Sequence, residues 1–351
     1  MTGSLRALAV AAAAISLVAC APTLAPDASP TAASSTPAAA DPTPSAEPAI
    51  APTVPLNGDC GSVLSAAQLD ELLGEGWKTR DERVLEWVPN SPILPSAGGL
   101  ETMGGLDCHW MIGGDFSSGS PWDLGVVIVP ADHAEHPSVS DLAEMHCDPA
   151  YDTTVCRLGR VIGDVWVVVR SAVPGDELDS AAFLPEALDA VETSIGDGVE
   201  AAALPPGDGW WTMPECADLA ERVRLEGFLG EGYRSGYWEG NPSREQLMLA
   251  DAGAQLTCPW FTGEAGGAPD GTFYIVSLDL APGAAWRWDG IAAAQGASTA
   301  SVPGADAAVA FDLGDGNAAV FATDGVNVLE VVGVPQEMAL TLAERALSAM
   351  G

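Results

Sequence analysis

A segment of eighteen residues recurs in this chain, and the recurrence limits its architecture more than any other feature. Cys60 to Trp77 aligns without a gap on Cys216 to Tyr233, an offset of 156 residues. Both copies end in Leu-Gly-Glu-Gly-aromatic, at Leu73–Trp77 and Leu229–Tyr233. Leu69, Leu72 and Leu73 match Leu225, Phe228 and Leu229, an i, i+3, i+4 stripe that predicts a helix with one face against a core. Ser65 and Gln68 form a capping-box pattern at the helix start in the first copy. Gly74 and Gly230 stand where a left-handed C-cap is needed.

A second match follows downstream, Leu-x-Cys-x-Trp at Leu106, Cys108 and Trp110 and again at Leu256, Cys258 and Trp260. Strands are expected at Leu124–Pro130 and Val165–Arg170 in the first copy, and at Tyr274–Pro282 and Val326–Val332 in the second. Each copy closes with a helix, Pro185–Ile195 and Pro335–Met350, with proline at the tolerated first turn. The expected organisation is therefore repeat domain 1 over 57–195, a linker over 196–213 carrying Leu-Pro-Pro-Gly, and repeat domain 2 over 214–351. Strands flanked by terminal helices predict an α+β class: two homologous domains, each an antiparallel sheet with an N-terminal and a C-terminal helix packed on it.

The duplication also orders the cysteines. Cys60 and Cys108 occupy positions equivalent to Cys216 and Cys258, so the two pairs are expected to form equivalent disulfides. Cys147 and Cys156, nine residues apart in the first copy only, are read as a staple between neighbouring strands. Their counterparts in the second copy are read as an apolar pair near Phe311 and Phe321.

The seventh cysteine, Cys20, has a different setting. Arg6 precedes an apolar run from Ala7 to Ala19 broken only by Ser16. Thirteen helical residues span about 20 Å, short of the roughly 30 Å of a bilayer core. A positive start and a short apolar run read as a signal peptide over 1–19. The sequence Leu17-Val18-Ala19-Cys20 resembles a bacterial lipobox, which implies cleavage before Cys20 and a lipid on its thiol. Ala21 to Leu56 is almost entirely Ala, Pro, Thr and Ser, and is expected to be a disordered tether, with Cys20 at its head.

Thirteen Lys+Arg against 49 Asp+Glu give a net charge of −36, which excludes nucleic acid as a partner. No nucleophile elbow, P-loop, dinucleotide fingerprint or His-Glu-x-x-His helix is present, and no cofactor is expected. His133, His136 and His146 offer three imidazoles near Asp132 and Glu135, a conceivable zinc set. They are read instead as solvated loop histidines, because the stretch contains Pro137 and has no counterpart in the second copy. His109, beside an expected disulfide, is read as packed or surface-exposed. Trp210, Trp211, Trp286 and Trp288 are the aromatic binding candidates. The alternative for Trp210 and Trp211 is a wedge between the two domains.

A lipobox, a Pro/Ala/Thr tether and a domain of Cys, leucine-bearing helix and Cys-x-Trp together resemble actinobacterial envelope lipoproteins of unassigned function. These include mycobacterial lipoproteins and the similar extracellular sensor domains of their transmembrane Ser/Thr kinases. The resemblance covers residues 60–195 and 216–351 and implies a disulfide-bearing α+β domain with no established activity. It points to a protein anchored on the outer face of the cytoplasmic membrane through Cys20. There it would act as a non-enzymatic, sensor-like module for a wall component, small ligand or envelope protein. The alternative is an envelope hydrolase or transferase using carboxylates or histidines that the sequence does not single out.

Overall fold

A strand that is apolar at every position, such as Val165-Trp-Val-Val-Val169, signals a sheet covered on both faces, and this condition organises the fold. The computed structural model describes residues 50–89, 91–113, 122–150, 153–174, 180–196, 198–237, 242–263, 268–314 and 316–351. Cys20, the expected signal peptide and the tether as far as residue 49 lie outside them.

The N-terminal half runs α1 (Cys60–Val63), α2 (Ala66–Leu73), β1 (Lys78–Thr79), α3 (Arg80–Trp87), α4 (Gly99–Thr102), β2 (Leu106–Ile112), β3 (Trp122–Pro130), β4 (His146–Ala150), β5 (Thr153–Ile162), β6 (Val165–Pro174) and α5 (Ser180–Ile195). The C-terminal half runs α6 (Cys216–Arg222), α7 (Glu226–Leu229), β7 (Arg234–Ser235), α8 (Arg244–Asp251), β8 (Leu256–Phe261), β9 (Ile275–Ala281), α9 (Trp288–Ala292), β10 (Ser298–Ala300), β11 (Ala307–Gly314), β12 (Asn317–Thr323), β13 (Val328–Val334) and α10 (Gln336–Met350).

The class is mixed α+β with two antiparallel sheets. Among the described residues the first sheet has the order β1-β2-β3-β6-β5-β4. The second, read from the corresponding edge, runs β7-β8-β9-β13-β12-β11-β10, the same order with one strand added. Both sheets belong to one compact unit, Pro48–Gly351.

Local sequence explains the helix ends. Ser65 caps α2 in a complete capping box, its backbone N–H donating to Gln68 Oε1 at 2.9 Å. Gly74 and Gly230 follow the matched helices with φ/ψ of 80°/175° and 82°/168°. This is the mirror of the extended region rather than the expected left-handed helical one, and it suits only glycine. In the second copy the helix is broken: Arg224 adopts φ 54° between α6 and α7. The closing helix α5 begins at Ser180, not Pro185, which lies inside it. Buried Phe183 and Leu184 extend its apolar face past the proline, outweighing the backbone hydrogen bond that proline removes.

Each sheet packs its terminal helices on one face. Leu124, Val126 and Ile128 of β3 and Val167 and Val169 of β6 meet α2 and α5. Val276, Leu278 and Leu280 of β9 and Leu329 and Val331 of β13 meet α6, α7 and α10. The other faces are covered reciprocally. Met248 and Leu249 of α8 pack on Val127, Val129, Trp166 and Val168 of the first sheet. Ala97 and Leu94, from the N-terminal half, pack with Phe311, Phe321 and Val328 on the second. The segment before α1 takes part as well: Thr53 bridges Ala202 and Pro55 is buried, so order starts ahead of the composition change at Leu56.

Three disulfides close the structure, Cys60–Cys108, Cys147–Cys156 and Cys216–Cys258. Cys147 and Cys156 are directly opposed on β4 and β5. The expectation that Phe311 and Phe321 stand in their place is overturned. Register carried outward from Leu106 and Leu256 puts Asp312 and Ala318 there, also opposed. Phe311 and Phe321 are an edge-to-face pair 5.6 Å apart on the opposite face, as strand alternation requires.

By loop entropy, the nine-residue closure at Cys147–Cys156 contributes about 2.7 kcal/mol and the 42-residue closure at Cys216–Cys258 about 4 kcal/mol. Replacing Cys147 and Cys156 by serine is therefore expected to lower unfolding stability by less than the same change at Cys216 and Cys258, measured by denaturant titration. The reverse order would show that the outer hairpin depends on its staple for more than chain entropy.

Candidate functional site

Strand alternation places Cys108 and Trp110 of β2 in the helix-side core and turns Asp107 and His109 to the opposite face. There they meet a polar row running straight across the sheet. His109 opposes Gly125 on β3, Gly125 opposes Arg170 on β6, Arg170 opposes Arg157 on β5, and Arg157 opposes His146 on β4. Gly125 is what lets Arg170 lie flat. A Cβ there would stand 2.4 Å from Arg170 Nε and 2.7 Å from its Cγ, so any larger residue displaces the guanidinium.

Near this row, where α8 reaches over from the C-terminal half, a cavity of about 670 Å³ opens between the halves. Its polar wall is Arg80, Asp81, Glu101, Asp107, His109, Arg170 and Glu245; Leu100, Leu106, Val127 and Leu249 supply the apolar part. His109 is 11% exposed, with Nε2 3.0 Å from Asp107 Oδ2, and Arg170 Nη2 approaches the same Nε2 and lies 3.2 Å from Nδ1. Burial pushes the Asp107 carboxyl up, but the hydrogen bond from His109 and the nearby Arg170 and Arg80 outweigh it and hold the pKa below the usual range.

The remaining acids of the wall are engaged elsewhere. Glu101 lies 3.6 Å from Arg287 and accepts from Ser96 Oγ at 3.1 Å. Glu245 lies 3.6 Å from Arg157, and both its oxygens are buried without a hydrogen bond among the described residues. The hydroxyls facing the cavity are also occupied. Thr79 and Ser243 are capping-box residues for α3 and α8, and Ser96 serves Glu101. Among the described residues no hydroxyl reaches an imidazole.

The histidines expected in a solvated loop lie elsewhere and are more involved. His136 pairs with Asp251 of the C-terminal half at 3.1 Å and is 18% exposed, which makes it an inter-half contact. His146 pairs with Asp148 at 3.0 Å and Asp141 at 3.6 Å. His133 is 3.9 Å from Asp132, and burial lowers its pKa. Among the described residues no group of three His, Cys, Asp or Glu is placed to hold a metal.

The four candidate tryptophans all make contacts within the fold, and Trp210 and Trp211 also line a cavity of about 450 Å³. Trp211 is 9% exposed in the second core, and its backbone N–H donates to Asn327 Oδ1 at 3.2 Å. Trp210 lies over Gly283, so this pair packs on the C-terminal half rather than between the halves. Trp286 does bridge them, donating from Nε1 to Thr102 Oγ1 at 3.0 Å. Trp288 packs against the cluster around Phe311 and Phe321.

A second titratable group escapes sequence inspection. Asp279 of β9 and Glu330 of β13 are directly opposed on the covered face of the second sheet. Asp279 accepts from Thr257 Oγ1, from Gln255 Nε2 at 3.1 Å and from Ser277 Oγ at 3.2 Å. No hydrogen bond reaches Glu330 among the described residues. Burial pushes both carboxyls up, Glu330 well above the usual range, with the Asp279 charge adding to it. Burial and the same charge push the nearby Tyr237 phenol to about 12.

No family model matches the chain, and no curated protein matches it. Two solved structures align with it. The di-domain ARO/CYC StfQ from the steffimycin biosynthetic pathway is 12% identical over 78% of this chain and 93% of its own, with a TM-score of 0.13. The di-domain ARO/CYC BexL from the BE-7585A biosynthetic pathway is 7% identical over 68% and 76%, with a TM-score of 0.11. Likenesses of this size carry no argument about fold or function. Among the described residues no helix is long and apolar enough to cross a membrane.

Because the folded pKa of Glu330 is raised, the folded state holds a proton that the unfolded state has released. This contribution is fully present below the ordinary carboxylate pKa of about 4.3 and is lost as pH rises above it. Glu330→Gln is expected to flatten the fall in urea midpoint as pH rises above about 4.5. A fall of unchanged size in the variant would assign it to other groups.

Proposed function

We propose that the chain is a cell-envelope lipoprotein, held on the outer face of the membrane by a lipid on Cys20 and a flexible tether, and that it binds a ligand without transforming it. The halves are two homologous repeat domains, 57–195 and 214–351, joined by 196–213. Their common strand order, with one strand added in the second, and the equivalent disulfides Cys60–Cys108 and Cys216–Cys258 support this reading. Three disulfides also suit an oxidising compartment outside the cytoplasm.

The observation that carries the binding role is the cavity between the halves: about 670 Å³, walled by held charges on one side and leucines on the other. Sites for small molecules have this size and this mixture of apolar wall and few convergent polar groups. A second reading, an envelope hydrolase or transferase, draws support from the Asp107–His109 pair at 3.0 Å inside the cavity, the usual arrangement of an oriented base. Among the described residues no hydroxyl is placed to serve as the nucleophile, so this reading would use an activated water.

Two measurements test these readings. Cys20→Ser is expected to move the protein from the membrane fraction to the medium, and retention in the membrane would overturn the lipid anchor. For the cavity, the protein is expected to show no turnover of isolated wall fragments above the spontaneous rate. Turnover that His109→Asn lowers by about a hundredfold would establish the enzymatic reading instead.

A further inference from the structure

We propose that the cavity takes a small carboxylate carried on an apolar body, with Arg170 and Arg80 holding the carboxylate; this rests on the reading of the cavity as a binding site. The charge pairing of the wall carries the argument. Acids outnumber Lys+Arg 49 to 13 in this chain, so a cation near the protein surface has abundant partners. Arg83, Arg157, Arg160, Arg244 and Arg287 each lie within 4 Å of a carboxylate. Arg170 does not, nor do Arg222, Arg224 and Arg345 among the described residues; unlike those three it lines the cavity, where its contact is the His109 ring and its Nε is buried with no acceptor. Arg80, exposed on the same wall, has no ion pair or hydrogen bond among the described residues.

The acids of the wall do not reach them as contact partners. Glu101 and Glu245 pair with Arg287 and Arg157, Asp107 hydrogen-bonds His109 while its charge acts on both arginines from farther off, and Asp81 has no ion pair among the described residues. A half-buried guanidinium with no carboxylate within 4 Å among the described residues has N–H donors that a bound carboxylate would accept from. The planar fork of Arg170, fixed over Gly125, matches a carboxylate in two parallel hydrogen bonds. The same acids repel a polyanion, which favours a single negative charge over a polyphosphate. Leu100, Leu106, Val127 and Leu249 complete the wall and fit a hydrocarbon body.

Hexanoate and its uncharged isostere hexanamide separate charge from shape, read by NMR titration of the folded protein with cavity resonances followed. Hexanoate is expected to bind saturably and about tenfold or more tighter than hexanamide. Arg170→Gln is expected to remove that advantage. Arg80→Gln, an exposed change that leaves the fold intact, is expected to weaken hexanoate several-fold. Equal affinity for the two compounds, or unchanged hexanoate affinity in both variants, would overturn the carboxylate assignment while leaving the cavity a binding site. If neither compound perturbs a cavity resonance, the binding-site reading falls with it.

Discussion

The structure depends on the reciprocal covering of two sheets. Each sheet is buried by its own helices on one face and by a segment of the other half on the second. α8 crosses to the first sheet, and the residues around Leu94 and Ala97 cross to the second. Burial at about 25 cal/mol per Å² of apolar surface makes these second faces a large part of the stabilisation. The polar contacts at the seam, His136 with Asp251 and Trp286 with Thr102, set the register of the halves more than they add energy.

The cavity follows from the same arrangement. A helix of eight residues covers only part of a six-stranded sheet. Where α8 does not reach, the sheet face changes from valine to Asp107, His109 and Arg170. These side chains are therefore held by a rigid sheet and roofed by an element from elsewhere in the chain, a setting that fixes their geometry while leaving them open to solvent.

Much of the fold was legible. The matched helices, the central strands and all three disulfides follow from apolar periodicity and from a duplication that reduces fifteen cysteine pairings to one natural choice. What was not legible has physical causes. The broken helix at Arg224 and the early start at Ser180 depend on tertiary packing that overrides local pattern. Phe311 and Phe321 were assigned to the wrong face because alignment by residue type does not track strand parity. The site escaped because its members are far apart in sequence. Asp-Cys-His-Trp in β2 did carry a signal, polar and core residues alternating, and Arg170 ended an all-apolar run. Likewise Asp279 and Glu330 are isolated acids within apolar strands, yet only sheet register reveals that they are opposed.

The covering segments also decide how the molecule comes apart. Cut at the connection between the halves and separated, each sheet would present to water a broad face of valine, alanine and phenylalanine. Surfaces of that kind drive self-association. Neither half is then a stable soluble unit, and the described chain should lose its structure in one cooperative step rather than half by half. Proteolytic nicking of the connection should accordingly leave two fragments that stay together under native conditions and part only on denaturation.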